Sequence, residues 1–256
     1  MKKILVPTLI AAAIASLSSV AHAAEPESSL AFNAGVVSDY RYRGISQSRL
    51  EPALQGGVDY TDKSGFYVGA WGSTIKWIRD AGVLTEKPTA KGSVELDLYG
   101  GYRGAVGDVA YDVGFLRYEY VGNTLADTDF YRNANTNEIY GAVTYGVFTA
   151  KYSHALSNLF GNPDSKNSYY VDLSATLDLG DGYSLVPHVG YQKIKGAANV
   201  DGSYTDYALT LAKDLGNGLS ATAALVGTDA SKTFYTTPND KFPGRTGAVV
   251  GLKYSF

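Results

Sequence analysis

The chain has 256 residues, with 22 Lys+Arg against 25 Asp+Glu and no cysteine. That excludes a disulfide framework and a thiolate metal site, and the missing basic excess excludes the footprint of a nucleic-acid binder. Its 29 glycines and 21 tyrosines, against 9 phenylalanines and 2 tryptophans, suit a surface that is oily at one end and wet at the other.

Met1 to Ala23 reads as a targeting segment. Lys2 and Lys3 form a positive n-region, Ile4 to Val20 an apolar stretch, and Ala21-His22-Ala23 a small-x-small cleavage site. Pro7, Thr8 and several serines interrupt that stretch, which argues against a retained membrane helix. Export with cleavage before Ala24 leaves 20 basic and 25 acidic residues, a formal net charge of −5. Residues 24–256 contain no apolar run long enough to form a membrane helix and make up a single domain.

Twelve strand-like segments follow, each about ten residues long with period-two alternation. They run from Leu30 to Arg43, Pro52 to Thr61, Gly65 to Lys76, Ser93 to Arg103, Asp108 to Tyr120, Asn137 to Tyr145 and Val147 to Leu156. The remainder are Tyr169 to Leu179, Tyr183 to Lys193, Tyr204 to Leu215, Leu219 to Thr228 and a final segment from Arg245. The connections alternate strictly. Long ones lie near 45–51, 77–92, 121–136, 157–168, 196–203 and 229–244. Short Gly/Asp/Asn-containing ones lie near 62–64, 104–107, 146, 180–182 and 216–218. An even number of strands with short turns at one end and longer loops at the other specifies a 12-stranded antiparallel up-and-down transmembrane β-barrel. Both termini then fall on the periplasmic side of an outer membrane.

Two segments break the pattern. In Asp108 to Tyr120 the apolar phase Val109, Tyr111, Val113, Phe115 would carry Arg117 and Glu119 into lipid, so a bulge is expected near Phe115–Leu116. Pro187 removes a ladder donor from its strand, so a local gap or bulge is expected there too. The closing strand is regular: Ala248, Val250, Leu252, Tyr254 and Phe256 share an apolar face, opposite Gly247, Val249, Gly251, Lys253 and Ser255. Tyr254 and Phe256 are the expected membrane-insertion signal, read by the barrel assembly machinery.

With the apolar phase outward, Asp39, Arg41 and Arg43 face the lumen at the outer end of the first strand. Glu95, Glu138, Asp172 and Asp206 enter from the outer ends of other strands. Asp97 shares the inward face with Glu95, and Asp59, Arg103, Asp178 and Lys253 lie deeper. An arginine-bearing wall facing carboxylates would set a transverse field across an aqueous pore, as charge rings do in channels. The same residues could instead pair and close a lumen of intermediate width.

Several stretches carry a family resemblance. They are Ser38-Asp39-Tyr40-Arg41-Tyr42-Arg43-Gly44-Ile45-Ser46-Gln47-Ser48, followed by Pro52-Ala53-Leu54-Gln55-Gly56-Gly57-Val58-Asp59-Tyr60, and Gly65-Phe66-Tyr67-Val68-Gly69-Ala70-Trp71. Further ones are Glu95-Leu96-Asp97-Leu98-Tyr99, Asn137-Glu138-Ile139-Tyr140, His188-Val189-Gly190-Tyr191-Gln192 and Tyr204-Thr205-Asp206-Tyr207. Together they resemble the TorF family of porins over essentially the whole of 24–256. Tyr120-Val121-Gly122 departs from it where a proline is expected, at a loop tip. The resemblance implies an exported barrel with no established substrate.

The expected function is passive diffusion of small solutes or ions through an outer-membrane barrel, with a modest cation preference from the acidic excess. The alternatives are a non-conducting barrel acting through its loops, with Trp77, Tyr131, Phe160, Phe234, Tyr235 and Phe242 as loop aromatics, and, more distantly, a lipid hydrolase. Hydrolysis is disfavoured because His154 points outward while Ser153 points the other way, so no nucleophile–base pair forms within that strand. His188 falls on the lumen phase. No enzyme activity, cofactor or metal is expected, since the two histidines of residues 24–256, without clustering, make no zinc or iron site. The expected partners are outer-membrane lipid and the passing solute, and the expected state is a monomer.

Overall fold

A computed structural model describes residues 28–82, 90–128, 130–238 and 240–256. The expected signal peptide and part of the 77–92 loop lie outside the described residues. Fifteen strands run in chain order: β1 (Ser29–Val37), β2 (Arg41–Tyr42), β3 (Ile45–Ser46), β4 (Ala53–Thr61), β5 (Phe66–Thr74), β6 (Val94–Val106), β7 (Val109–Tyr120) and β8 (Thr136–Tyr145). They continue with β9 (Phe148–Ala155), β10 (Tyr169–Ala175), β11 (Leu177–Gly180), β12 (Tyr183–Lys193), β13 (Tyr204–Gly216), β14 (Leu219–Thr228) and β15 (Gly247–Ser255). Each pairs antiparallel with its neighbours. β15 closes on β1 through Lys253↔Gly35, and β10 joins β12 through Asp172↔Gly190.

β10 and β11 are one barrel strand, and β2–β3 is a separate two-stranded sheet. The wall therefore has twelve strands. The break at Ala175–Thr176 lies across from Val186–Pro187; Pro187 has no N–H to donate, yet it stays paired with Leu209 of β13. The local gap is what a missing N–H produces.

The outward face is apolar all round, with Leu30, Leu54, Phe66, Val113, Leu225 and Leu252 exposed. In water such a band would be a liability; against hydrocarbon it is the low-energy surface. No helix among the described residues is long and apolar enough to cross a membrane; the crossing is made by strands. Tyr254 and Phe256 are exposed on that face, and Phe256 stacks on Phe32 at 5.7 Å. Short turns such as Asp181-Gly182 and Asn217-Gly218 place both central residues at positive φ, as the tight turns that match strand twist require.

One expectation fails. β6–β7 and β7–β8 pair without any shift in register, so there is no bulge at Phe115–Leu116. The outward phase holds, and Arg117 and Glu119 point away from the lumen. They form an ion pair at the long-loop end, and Asn137 and Asn135 supply further bonds. Neutralising each other at the membrane edge removes the need for a phase change. Tyr118 and Tyr120, which such a bulge would turn outward, instead pack into the lumen with only 1% and 2% exposure.

The main core sits inside the long-loop end of the barrel. Val37, Tyr40, Trp71, Ile75, Leu116, Tyr118 and Tyr120 pack under loop residues Ile78, Leu125 and Ala134. Trp77, Tyr131 and Phe160 fold back onto this cluster. Tyr235 and Phe242 pack onto a smaller one of Ile45, Tyr204 and Ala230. Most of the loop aromatics therefore cover the barrel mouth.

Candidate functional site: the lumen and its inward hairpin

β1 ends at Val37, before the arginines. Arg41 and Arg43 are thus not on the wall, a correction to the long first strand expected from the alternation. They ride on the β2–β3 hairpin, which dives into the lumen. Arg43 and Gly44 lie at φ 46° and 77°, the positive values a two-residue type I′ turn needs, between the pairs Tyr42↔Ile45 and Arg41↔Ser46. Apolar Ile45 pulls the hairpin inward onto Tyr204, and Asp39 holds its base by accepting from Ser46 and from Arg41.

The hairpin is pinned on both sides of its root. Arg41 donates to the Gly44, Pro243 and Arg245 carbonyls at 2.9, 2.9 and 3.0 Å. The Gln47 carbonyl accepts from the N–H groups of Lys76 and Trp77 at 2.8 and 3.2 Å. Arg49 pairs with Asp80, whose side chain is buried in helix α1 (Trp77–Ala81), and Glu51 pairs with Lys76.

Its tip reaches the opposite wall. Arg43 donates to Glu138 on β8 at 2.8 and 3.1 Å and to Gln192 on β12 at 2.7 Å. It also lies over the Tyr170 ring of β10 at 4.4 Å. A Cβ placed on Gly44 would meet Thr228 Cγ2 at 2.4 Å and Asp206 Cβ at 2.6 Å, so the turn is seated against β13 and β14. Burial works against the Arg43 charge, but Glu138 together with the Tyr42 and Tyr118 side chains outweighs it, and the guanidinium pKa lies well above its ordinary value. Burial, then the Glu95 carboxylate, raise the Tyr40 phenol likewise, and Tyr40 donates to Glu95 at 2.6 Å as a neutral group.

The carboxylates expected to ring a pore are therefore tied into a dry belt. Glu95, Asp97, Glu138 and Asp206 are each 2% exposed or less. Glu138 is held by Arg43 and Tyr118, and Asp206 accepts from Tyr170 at 2.9 Å. Asp97 Oδ1 has no hydrogen-bond partner among the described residues. Asp172 bonds His188 Nε2 at 2.7 Å, while His188 Nδ1 lies 3.6 Å from Asp206. The arginine of the tip reaches Glu138 directly, so no open gap separates this pair of opposed charges.

Toward the short-turn end the lumen is wetter. Arg103 is partly exposed, pairs with Asp112 at 3.1 Å and lies 3.9 Å over the Tyr67 ring. Asp59 accepts from Tyr99 at 2.6 Å. Lys151 stands 4.3 Å over the Tyr140 ring, and Lys253 faces inward from β15. Both are half-buried, and neither forms an ion pair among the described residues. Asp178 sits exposed at the short-turn rim, where it caps the turn by accepting from the Gly180 N–H at 2.9 Å.

The alternation alone did not single out Asp112, Tyr118, Lys151 and Gln192. Asp112, Lys151 and Gln192 lie on the polar phase of their strands and were findable; Tyr118 was hidden by the expected bulge. His154 points outward as expected, bonded to Tyr152 and Asn167 at 3.0 and 3.2 Å, while Ser153 is buried inside. Among the described residues no group of three or more His, Asp or Glu side chains is placed to hold a metal.

Residues 21–256 match the model of a family described as a bacterial protein of unknown function, Gcw_chp. The chain belongs to the Gcw_chp family. No curated protein matches it. Among solved structures, this Gcw_chp barrel is similar to the KdgM porin, with a TM-score of 0.54 and 8% identity over 90% of this chain and 99% of that one. The KdgM porin in complex with disordered oligogalacturonate gives 0.53 and 9% over 90% and 99%. The NanC porin gives 0.52 and 11% over 89% and 99%. At these identities the likeness is one of fold.

Proposed function

We propose that this Gcw_chp barrel is an outer-membrane channel for passive passage of small solutes, narrowed in its outer half by the β2–β3 hairpin. The carrying observation is the short-turn half of the lumen. There Lys151, Arg103, Lys253 and Asp59 stay partly exposed inside a closed wall, which a purely structural barrel has no need to maintain. The likeness to barrels named as porins supports the reading, one of them in complex with an oligogalacturonate. So does the resemblance to the TorF family. In this reading Met1–Ala23 is removed on export, the short turns face the periplasm, and the hairpin and long loops face outside.

The outer carboxylates do not carry a cation preference, because they are buried and bonded. Lys151 and Lys253 are half-buried on the lumen wall and form no ion pair among the described residues, so a weak anion preference is the expected outcome in place of the cation preference read from net charge.

The test is planar-bilayer conductance of the refolded protein beside a variant in which residues 41–46 are replaced by a short Gly/Ser link. Small openings that grow when the hairpin is removed, and an anion-leaning reversal potential that Lys151→Gln and Lys253→Gln abolish, are expected. If both barrels fold but neither conducts, the channel reading fails, and the long loops become the place where a partner is met.

A further inference from the structure

At the long-loop end a cavity of about 690 Å³ lies between Leu50, in the segment after β3, and the chain that links β14 to β15. That volume falls within the range of small-molecule sites, about 300–1,000 Å³. Its charged lining is unbalanced: Lys232, Lys241 and Arg245 stand against the single carboxylate of Asp240. All three cations are exposed, and none forms an ion pair among the described residues. Like charges gathered round one cavity repel each other, and an anion between them relieves that repulsion.

The rest of the lining adds direction. Phe242 offers a flat apolar face, with Lys232 Nζ 6.0 Å from its ring centroid. Thr236 and Thr246 bring hydroxyl groups to the same space, while the Thr228 hydroxyl is held by the Gly244 carbonyl. The floor is rigid, because the Pro243 and Arg245 carbonyls are held by Arg41 at 2.9 and 3.0 Å. Arg245 is therefore presented from a fixed backbone by the same side chain that anchors the inward hairpin.

We infer that this vestibule is a docking site for a small polyhydroxylated solute bearing a carboxylate or a phosphate. The inference rests on the channel reading, since it names what would be gathered at the outer mouth. Arg245 and Lys241 hold the anion, Phe242 covers the apolar face of the solute, and the threonines meet its hydroxyls. Leu50 shares the wall, so an occupied vestibule touches the segment that leads from the hairpin.

The test is calorimetric titration of the full chain, folded in detergent micelles, with glucose, glucuronate and glucose 6-phosphate. Both anions are expected to bind at least fivefold more tightly than glucose. Lys241→Gln and Arg245→Gln should each weaken anion binding about fivefold, the size of one partly exposed charge contact. Added salt should weaken it further. The stronger of the two anions identifies the acidic group. Glucose binding as well as the anions, or a folded double variant binding all three like the wild type, overturns the inference. A barrel that binds but never conducts would sink the channel reading alone, and one that conducts without binding would sink only the vestibule.

Discussion

The two halves of this lumen treat charge in opposite ways. In the long-loop half Arg43, Glu138, Glu95 and Asp206 are desolvated and held by named partners, and an aromatic cluster fills the space around them. In the short-turn half Lys151, Arg103, Lys253 and Asp59 remain partly exposed, and Lys151 and Lys253 form no ion pair among the described residues. Strand number and twist are shared, so the wall does not cause the difference. The hairpin does, because it brings one guanidinium and a set of aromatic contacts into only one half. A charge inside a barrel is thus a structural latch where chain crosses the lumen and a possible selectivity group where water does.

Breaking the latch should have the largest effect. Arg43→Ala leaves Glu138 buried without its cation, and about 3–5 kcal/mol of stability should be lost in urea unfolding from micelles. Pairing the change with Glu138→Leu should recover most of it. If the single variant loses less than about 1 kcal/mol, the belt is not dry. Gly44→Ala comes next. The added Cβ meets Thr228 and Asp206 at a φ of 77°, and a loss of about 2 kcal/mol is expected from strain at that position. Unchanged stability would mean that the tip is not seated on β13 and β14.

A change of opposite sign sharpens the comparison. Asp97 is buried in the same half with one oxygen unpartnered, so Asp97→Asn should raise stability by about 1 kcal/mol. A destabilised variant would show that the carboxylate has a partner after all. The smallest effect belongs to the tether at the hairpin root. The bond from Lys76 lowers the Glu51 carboxyl pKa. Its contribution is present above the unfolded value and is lost as pH falls through the lowered one. Protease cutting in residues 47–52 should rise as pH drops toward 3, and Glu51→Gln should flatten that rise. Equal pH profiles for the two proteins would remove the tether from the account.

The sequence by itself determined the barrel. Period-two alternation and the strict change of long and short connections specify twelve strands, their inward faces and the end at which the loops gather, because side-chain direction in a strand follows from backbone geometry alone. It also placed Glu95, Asp97, Glu138, Asp172, Asp206 and Lys253 on the inward phase. What it misjudged depends on partners far away in the chain. Arg117 and Glu119 stay outward because each neutralises the other and Asn135 and Asn137 help, so no bulge is needed. Tyr118 turns inward because the space that receives it is made by Tyr42 and Phe160, from two different loops. Above all, Arg41 and Arg43 left the wall. Their segment alternates like a strand, and only contacts with Pro243, Glu138 and Gln192, between 95 and 202 residues distant, make it a hairpin across the lumen. Local pattern decides which way a side chain points; whether it meets water or another side chain is decided by what the rest of the fold brings to that spot.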